Sequence, residues 1–241
     1  MTESRGKRRG LLALCLFGAA LFGALGVWQV QRLAWKRDLI ARVDSRIHAE
    51  PVPAPPRGEW PVFDARAAEY RRIAATGRYL HDRETTVDAL TARGPGAWVL
   101  TPLRTADGVI LVNRGFVPPE HRDPASRKDG QVGGDVTVVG LLRPSEPAGR
   151  VLRPNDPTAD RWFSRDVGAI AHARGLPDAA PFFIDAEASP GGPTAPTGGL
   201  TVVRFRNAHL TYAATWFALA GLCVAGLVLL ARERESRIRP T

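Results

Sequence analysis

His209 stands at the head of an apolar run, HLTYAATWFALAGLCVAGLVLLA, that continues to Ala231. At about 100° per helical residue, Tyr212 lies at about 300° and Trp216 at about 340° from it, so the three share one narrow face. Arg206 comes about one turn earlier and would point into a headgroup layer. Nearer the start of the chain, Trp28, Arg32 and Trp35 make a comparable stripe at i, i+4 and i+7. Trp28 is at the outer end of its apolar run and His209 at the outer end of the other, so pairing the two helices would bring the stripes to one depth.

Such a set suits one kind of chemistry. A neutral imidazole could serve as an axial nitrogen ligand to a haem iron, with Tyr212, Trp216 and Trp28 as flat apolar walls and Arg206 or Arg32 as a cation for a propionate. An aromatic belt is the competing reading, with Trp and Tyr at headgroup level and arginine reaching outward. The belt accounts for the aromatic residues but does not require a histidine. The residues by themselves leave both readings open.

The elements that must position these side chains are two helices and what lies between them. From Leu11 to Val27 the chain reads LLALCLFGAALFGALGV without a charge, and from Leu210 to Ala231 it is apolar again. Each stretch approaches the length that crosses about 30 Å of hydrocarbon. The expected fold is α+β: two transmembrane helices flanking a β-rich extracytoplasmic domain, built as an antiparallel sheet or small barrel. The expected boundaries are a cytoplasmic N-terminus at 1–10, a span at 11–30, the outer domain at 31–208, a span at 209–231 and a cytoplasmic C-terminus at 232–241.

Arg5, Lys7, Arg8 and Arg9 ahead of the first run also suit a signal peptide. The run is longer than a usual h-region, however, and passes through Trp28 into Gln31–Arg32–Leu33–Ala34–Trp35 rather than ending at a small-x-small cleavage site, so an uncleaved anchor is expected. Residues 1–10 are also too few for an organellar transit peptide. With Arg232, Arg234, Arg237 and Arg239 after the second run, the flanking charges place both termini in the cytoplasm and the domain outside. In a bacterium that means a two-span inner-membrane protein with a periplasmic domain.

A net charge of +9 on 241 residues would raise the question of nucleic acid in a soluble chain. Here the basic residues are spread out and those at the ends already have a topological role, so no nucleic-acid partner is expected. Both cysteines, Cys15 and Cys223, fall within the spans, which leaves the outer domain without a disulfide or thiol chemistry. No G-x-S-x-G, H-E-x-x-H, C-x-x-C or phosphate-binding glycine loop occurs, and His48, His81, His121 and His172 have no metal-ligand spacing. These absences argue against an enzyme.

Helical spacing of Leu33, Leu39, Ile40, Val43 and Ile47 carries the first helix past its apolar part. The prolines of Glu50–Pro61 predict an extended linker. Strands are expected at Tyr70–Leu80, Thr85–Thr91, Ala97–Leu103, Val109–Val112, Val136–Leu142, Phe182–Asp185 and Leu200–Phe205. One helix is expected at Val167–Arg174, capped by Asp166 and stopped by Gly175 and Pro177. Arg143–Asp160 and Glu187–Gly199 read as ordered loops rich in Pro, Gly and Asp. A last strand leading straight into the second span would hold the domain close to the membrane surface.

Three blocks carry a resemblance. Gly26–Val27–Trp28–Gln29 with Arg32–Leu33–Ala34–Trp35–Lys36, then Val112–Asn113–Arg114–Gly115–Phe116–Val117–Pro118, and Asn207–Ala208–His209–Leu210 with Tyr212–Ala213 and Thr215–Trp216–Phe217 resemble the signature blocks of the Surfeit locus protein 1 family. The resemblance runs from about Gly10 to Ala231. It implies a non-enzymatic cytochrome c oxidase assembly factor that binds haem a as transient cargo, working with oxidase subunit I and the haem a synthesis machinery. By that resemblance His209 is the axial ligand. Phe116 stands where the family usually has tryptophan, which keeps apolar packing but removes an indole donor. Asn113–Arg114–Gly115 would end a strand, with Arg114 a candidate for partner contact. The alternative function is a membrane scaffold that holds oxidase subunits without binding haem, its aromatic stripes serving as helix-contact surfaces.

Overall fold

A computed structural model describes residues 2–150, 152–189, 191–201 and 208–236. The chain divides into two units: residues 1–42 with 204–241, and residues 43–203. The first contains most of helix α1 (Thr2–Ile47) and all of helix α3 (His209–Ser236). Both helices are long and apolar enough to cross a membrane, over Arg9–Ile47 and His209–Arg232. The continuation of α1 to Ile47 follows the spacing of Leu33, Leu39, Ile40 and Val43.

In the second unit β1 (Val52–Pro53), β2 (Arg72–Tyr79), β3 (Thr85–Thr91), β4 (Gly94–Thr105), β5 (Gly108–Val117), β6 (Asp135–Pro144) and β7 (Ala179–Ala186) form one sheet in the order β1-β2-β6-β7-β5-β4-β3. The sheet closes. Arg78 and Tyr79 at the end of β2 pair antiparallel with Arg104 and Leu103 of β4, so β2, β6, β7, β5 and β4 make a ring. Among the described residues closure leaves only β1 and β3 as edges, which is how a small β domain limits open strands. Most pairs are antiparallel, as expected, but β1 with β2 and β5 with β7 run parallel.

Period-two patterning explains the two cores. In β5, Ile110 and Val112 turn into the barrel, where they meet Ile73, Leu103, Leu142, Phe182 and Ile184. Val109 and Leu111 turn outward to a second cluster with Val87, Leu100, Trp162, Ile170 and Phe183. Burial on both faces is why this part of the sequence is almost continuously apolar.

Helix α2 (Val167–Ala173) covers the outer cluster with Val167, Ile170 and Ala171. The Asp166 carboxylate accepts from Ala169 N at 3.1 Å, and Gly175 leaves the helix at φ +64°, a conformation that needs no Cβ.

Two expectations are corrected here. Glu50–Pro61 is not simply an extended linker, because Arg57–Val62 forms a 3₁₀ turn containing Pro61. Trp60 is driven there into the barrel end, edge-on to Phe182 at 6.4 Å, and its Nε1 donates to Pro55 O at 2.8 Å. Asn113–Arg114–Gly115 does not end β5, which continues to Val117. Asn113 stays in the strand because its Nδ2 donates to Asp185 at 2.7 Å and its Oδ1 accepts from Gly115 N at 3.2 Å. Gly115, at φ +129°, is where Thr197 approaches: an added Cβ would lie 2.1 Å from Thr197 O. Of the strand expected at Leu200–Phe205, residues 202–205 lie outside the described residues.

Candidate functional site

The face that α1 turns toward α3 carries the small residues Cys15, Gly18 and Gly26, the ring of Phe22 and the amide of Gln29. A Cβ on Gly26 would meet the Phe217 ring at 2.6 Å, and one on Gly18 would meet Cys223 Sγ at 2.8 Å. Gly226 in turn faces Cys15 Sγ, at 3.3 Å from its would-be Cβ. The pairs Cys15 with Gly226, Gly18 with Cys223 and Gly26 with Phe217 run in opposite directions along the chain, so the helices are antiparallel. Small residues let the backbones approach, and contact between apolar helices in lipid rests on such packing. Phe22 stacks on Trp216 at 5.7 Å with 18° between the planes.

The contact ends on a polar pair. His209 Nδ1 lies 2.7 Å from Gln29 Oε1, and Gln29 is only 8% exposed. With the amide oxygen as acceptor, Nδ1 carries the proton and Nε2 carries the lone pair. A hydrogen bond to one ring nitrogen fixes the tautomer and orients the ring so that the other can ligate a metal. Among the described residues the imidazole makes no second hydrogen bond.

Gln29 stands in the first resemblance block, but the sequence reading gives it no role at the site. A signal was available: a buried amide costs free energy in an apolar span unless it finds a partner.

The other expected residues are distributed unevenly. Trp216 is at the helix contact, against Phe22 rather than Trp28. Trp28 and Trp35 are 52% and 50% exposed, and Tyr212 56%, whereas Ala213 on the contact face is 3% exposed. The Arg32 guanidinium lies 4.6 Å over the Trp35 ring. Measured around α1, Trp28, Arg32 and Trp35 sit about 90° from the Gln29 direction, and Tyr212 sits about 60° from His209 around α3. With the helices antiparallel, these offsets fall on the same edge of the pair. Phe217 and Gly26 close the opposite edge. Arg206 lies outside the described residues.

Arg114 belongs to the barrel unit. Its guanidinium lies 4.7 Å over the Tyr79 ring, and it lines a cavity there. No group of three or more His, Cys, Asp or Glu residues that could hold a metal ion occurs among the described residues.

Two helices of membrane-spanning length flanking a closed β-barrel, with a histidine tied to a glutamine where the helices meet, define a membrane-tethered barrel protein. The sequence pattern described as "SURF1 family" matches residues 16–221, and the chain belongs to that family. It is 40% identical over 229 residues to Surfeit locus protein 1 of Mus musculus, covering 88% of this chain and 71% of the relative. Surfeit locus protein 1 of Homo sapiens is 39% identical over 225 residues, at 86% and 72% coverage. The SURF1-like protein of Monosiga brevicollis is 37% identical over 249 residues, at 96% and 92%.

Proposed function

We propose that the protein is a non-enzymatic assembly factor that captures haem a at the α1–α3 edge and assists its insertion into the catalytic subunit of cytochrome c oxidase. The observation that carries this reading is the His209–Gln29 hydrogen bond at the end of the helix contact. It commits Nδ1 to donation and leaves Nε2 basic, which is what an axial ligand needs. The residues fit the cargo. His209 would hold the iron, while Trp28 and Tyr212 offer exposed aromatic faces along one edge, with Arg32 beside them for a propionate. Trp216, already stacked on Phe22, would support the histidine's helix rather than move to the macrocycle. Haem, when bound, would supply an iron able to take a nitrogen ligand, which His209 would provide while the helix edge shields the macrocycle. Transfer to the oxidase subunit follows only if the receiving site binds the haem more tightly.

In this reading both termini lie in the cytoplasm and the barrel in the periplasm of a bacterial inner membrane; the basic residues at each end of the chain support it.

The test is to purify the full chain from cells that make haem a and record haem content with and without His209→Ala. Loss of most of the haem is expected; unchanged content removes His209 from the mechanism. Exposed Trp28 and Trp35 also favour a second reading, a scaffold that packs these rings on partner spans. A scaffold would co-purify with oxidase subunits even when haem a synthesis is deleted, whereas a haem carrier would lose its cargo and its function together.

A further inference from the structure

Buried side-chain nitrogens without a hydrogen-bond partner are rare in folded proteins, and each calls for an explanation. Among the described residues there are six: His81 Nδ1, Arg114 Nη1, His121 Nδ1, Arg127 Nη1, Gln131 Nε2 and Arg143 Nε. Arg143 Nε faces Glu69 as an ion pair at 3.2 Å and is thereby accounted for. Arg114, Arg127 and Gln131 contribute N–H donors, and none of the six atoms is an oxygen. His81 Nε2 donates to Val132 O at 2.9 Å, which leaves the neutral ring's Nδ1 as an acceptor, so the unpaired donors are those of Arg114, Arg127 and Gln131.

The charges agree with the count. Arg127 is fully buried and paired with Glu84, whose other oxygen accepts from Thr101 Oγ1 at 2.9 Å. Arg127 also donates to His121 O and Arg122 O, so Glu84 and the loop carbonyls are committed to it. Arg114 lies within electrostatic reach of both Glu84 and Arg127, giving two guanidiniums against one carboxylate. Burial holds the Arg114 pKa below its usual value, partly offset by Tyr79 and Glu84, with Arg127 adding to the depression.

Arg114 lines a cavity of about 250 Å³, with Tyr79, Gly130, Val132, Thr137 and Glu187 among the other walls. That is far more than a single water needs, whose share of liquid volume is about 30 Å³. Both carboxylates on the wall already hold donors. Glu187 receives Arg72 in a fork at 2.6 and 2.9 Å, and Asp129 accepts from Thr194 Oγ1 at 3.0 Å. Tyr79 offers Arg114 its ring face. A cation held over an aromatic ring, with Nη1 unsatisfied in a small cavity of mixed polar and apolar lining, is arranged to receive a planar acceptor.

We infer that this cavity is a binding site for a small carboxylate, with Arg114 as its recognition group and Tyr79 fixing the guanidinium. The site is separate from the helix-pair site and stands whether or not that reading holds. A carboxylate accepts two parallel N–H bonds from one guanidinium, and a short apolar stem would lie along Val132 and its valine neighbours.

The test uses the full chain in detergent, with sodium acetate as the probe and sodium chloride and sodium phosphate at matched ionic strength as comparisons. Unfolding of the barrel is followed by tryptophan fluorescence. Acetate at about ten times its dissociation constant should raise the unfolding temperature by roughly 3 °C over chloride. Arg114→Gln should abolish the rise. Val132→Trp, at an exposed position on the cavity wall, should also abolish it while keeping the guanidinium, so the proposal remains testable if Arg114→Gln folds poorly. An equal rise with chloride, an acetate response retained in both variants, or a response to phosphate alone would each overturn it.

Discussion

At one end of the barrel Asp185, 3% exposed, accepts hydrogen bonds from Asn113, Arg143, Arg165 and Thr201, whereas in the helix pair the His209 ring has, among the described residues, the single partner Gln29. Both regions bury polar groups, but to different ends. Around Asp185 four donor residues match the acceptor sites of one carboxylate, and Arg165 is shared with Glu146 at 2.5 and 3.1 Å, so the network is closed and structural. In the helix pair one nitrogen is spoken for and the other is left with its lone pair. A saturated network fixes β5, β6 and β7 together, and an unsaturated one is what the proposed ligand role of His209 requires.

The largest expected effect comes from opening the closed network. Asp185→Ala leaves Arg143 and Arg165 buried without their shared carboxylate and should destabilise the barrel by about 3–5 kcal/mol. The urea midpoint followed by circular dichroism should fall steeply, and a small change would mean that the network tolerates gaps. Next comes Gly115→Ala, where φ is +129° and an added Cβ would meet Thr197 O. It should cost about 1–3 kcal/mol by the same assay without altering haem content per folded molecule. A loss of haem at preserved fold would break the separation drawn between the two regions.

Gln29→Ala sharpens the comparison from the other side. Removing the orienting partner of a ligating histidine typically weakens metal affinity by 10–100-fold. About tenfold weaker haem retention is expected here, measured by titration in detergent, with the urea midpoint of the barrel unchanged.

The smallest effect concerns acid. Burial would raise the Glu146 pKa, but Arg165 outweighs it and holds the group below its ordinary 4.5. Arg72 does the same for Glu187 by direct hydrogen bonding. Carboxylates with lowered folded pKa values bind protons more readily in the unfolded state. Their stabilisation is therefore full above the ordinary value and is lost as pH falls through the folded values. The barrel's urea midpoint should hold down to about pH 5 and then drop as pH falls further.

Local signals were legible in the sequence, and long-range ones were not. Thr85–Thr91 alternates between β-branched or apolar and polar residues between turn signals, and β3 has those bounds. Helix α2 announced both its cap, Asp166, and its stop, Gly175. Strand β5 was read only to Val112 because Asn113 and Arg114 look like a strand end. Their partners, Asp185 and Tyr79, are 72 and 35 positions away and could not be seen locally. Barrel closure rests on two register pairs between β2 and β4, which no periodicity reports. In the helix pair the histidine and the aromatic residues stood out by type, but which face met the other helix was set by Gly18 and Gly26. Those glycines turned Gln29 inward and left Trp28 and Trp35 on the flank.

The central claim is that the His209 imidazole, oriented by Gln29, is an iron ligand. Replacing the nitrogen with another donor tests this directly: His209→Met, expressed with haem a and examined by visible absorption of the oxidised and reduced protein. The account predicts that haem is retained at reduced occupancy with a displaced Soret band, because the axial atom has changed from nitrogen to sulfur. A spectrum identical to that of the wild type, at equal haem content, would contradict it.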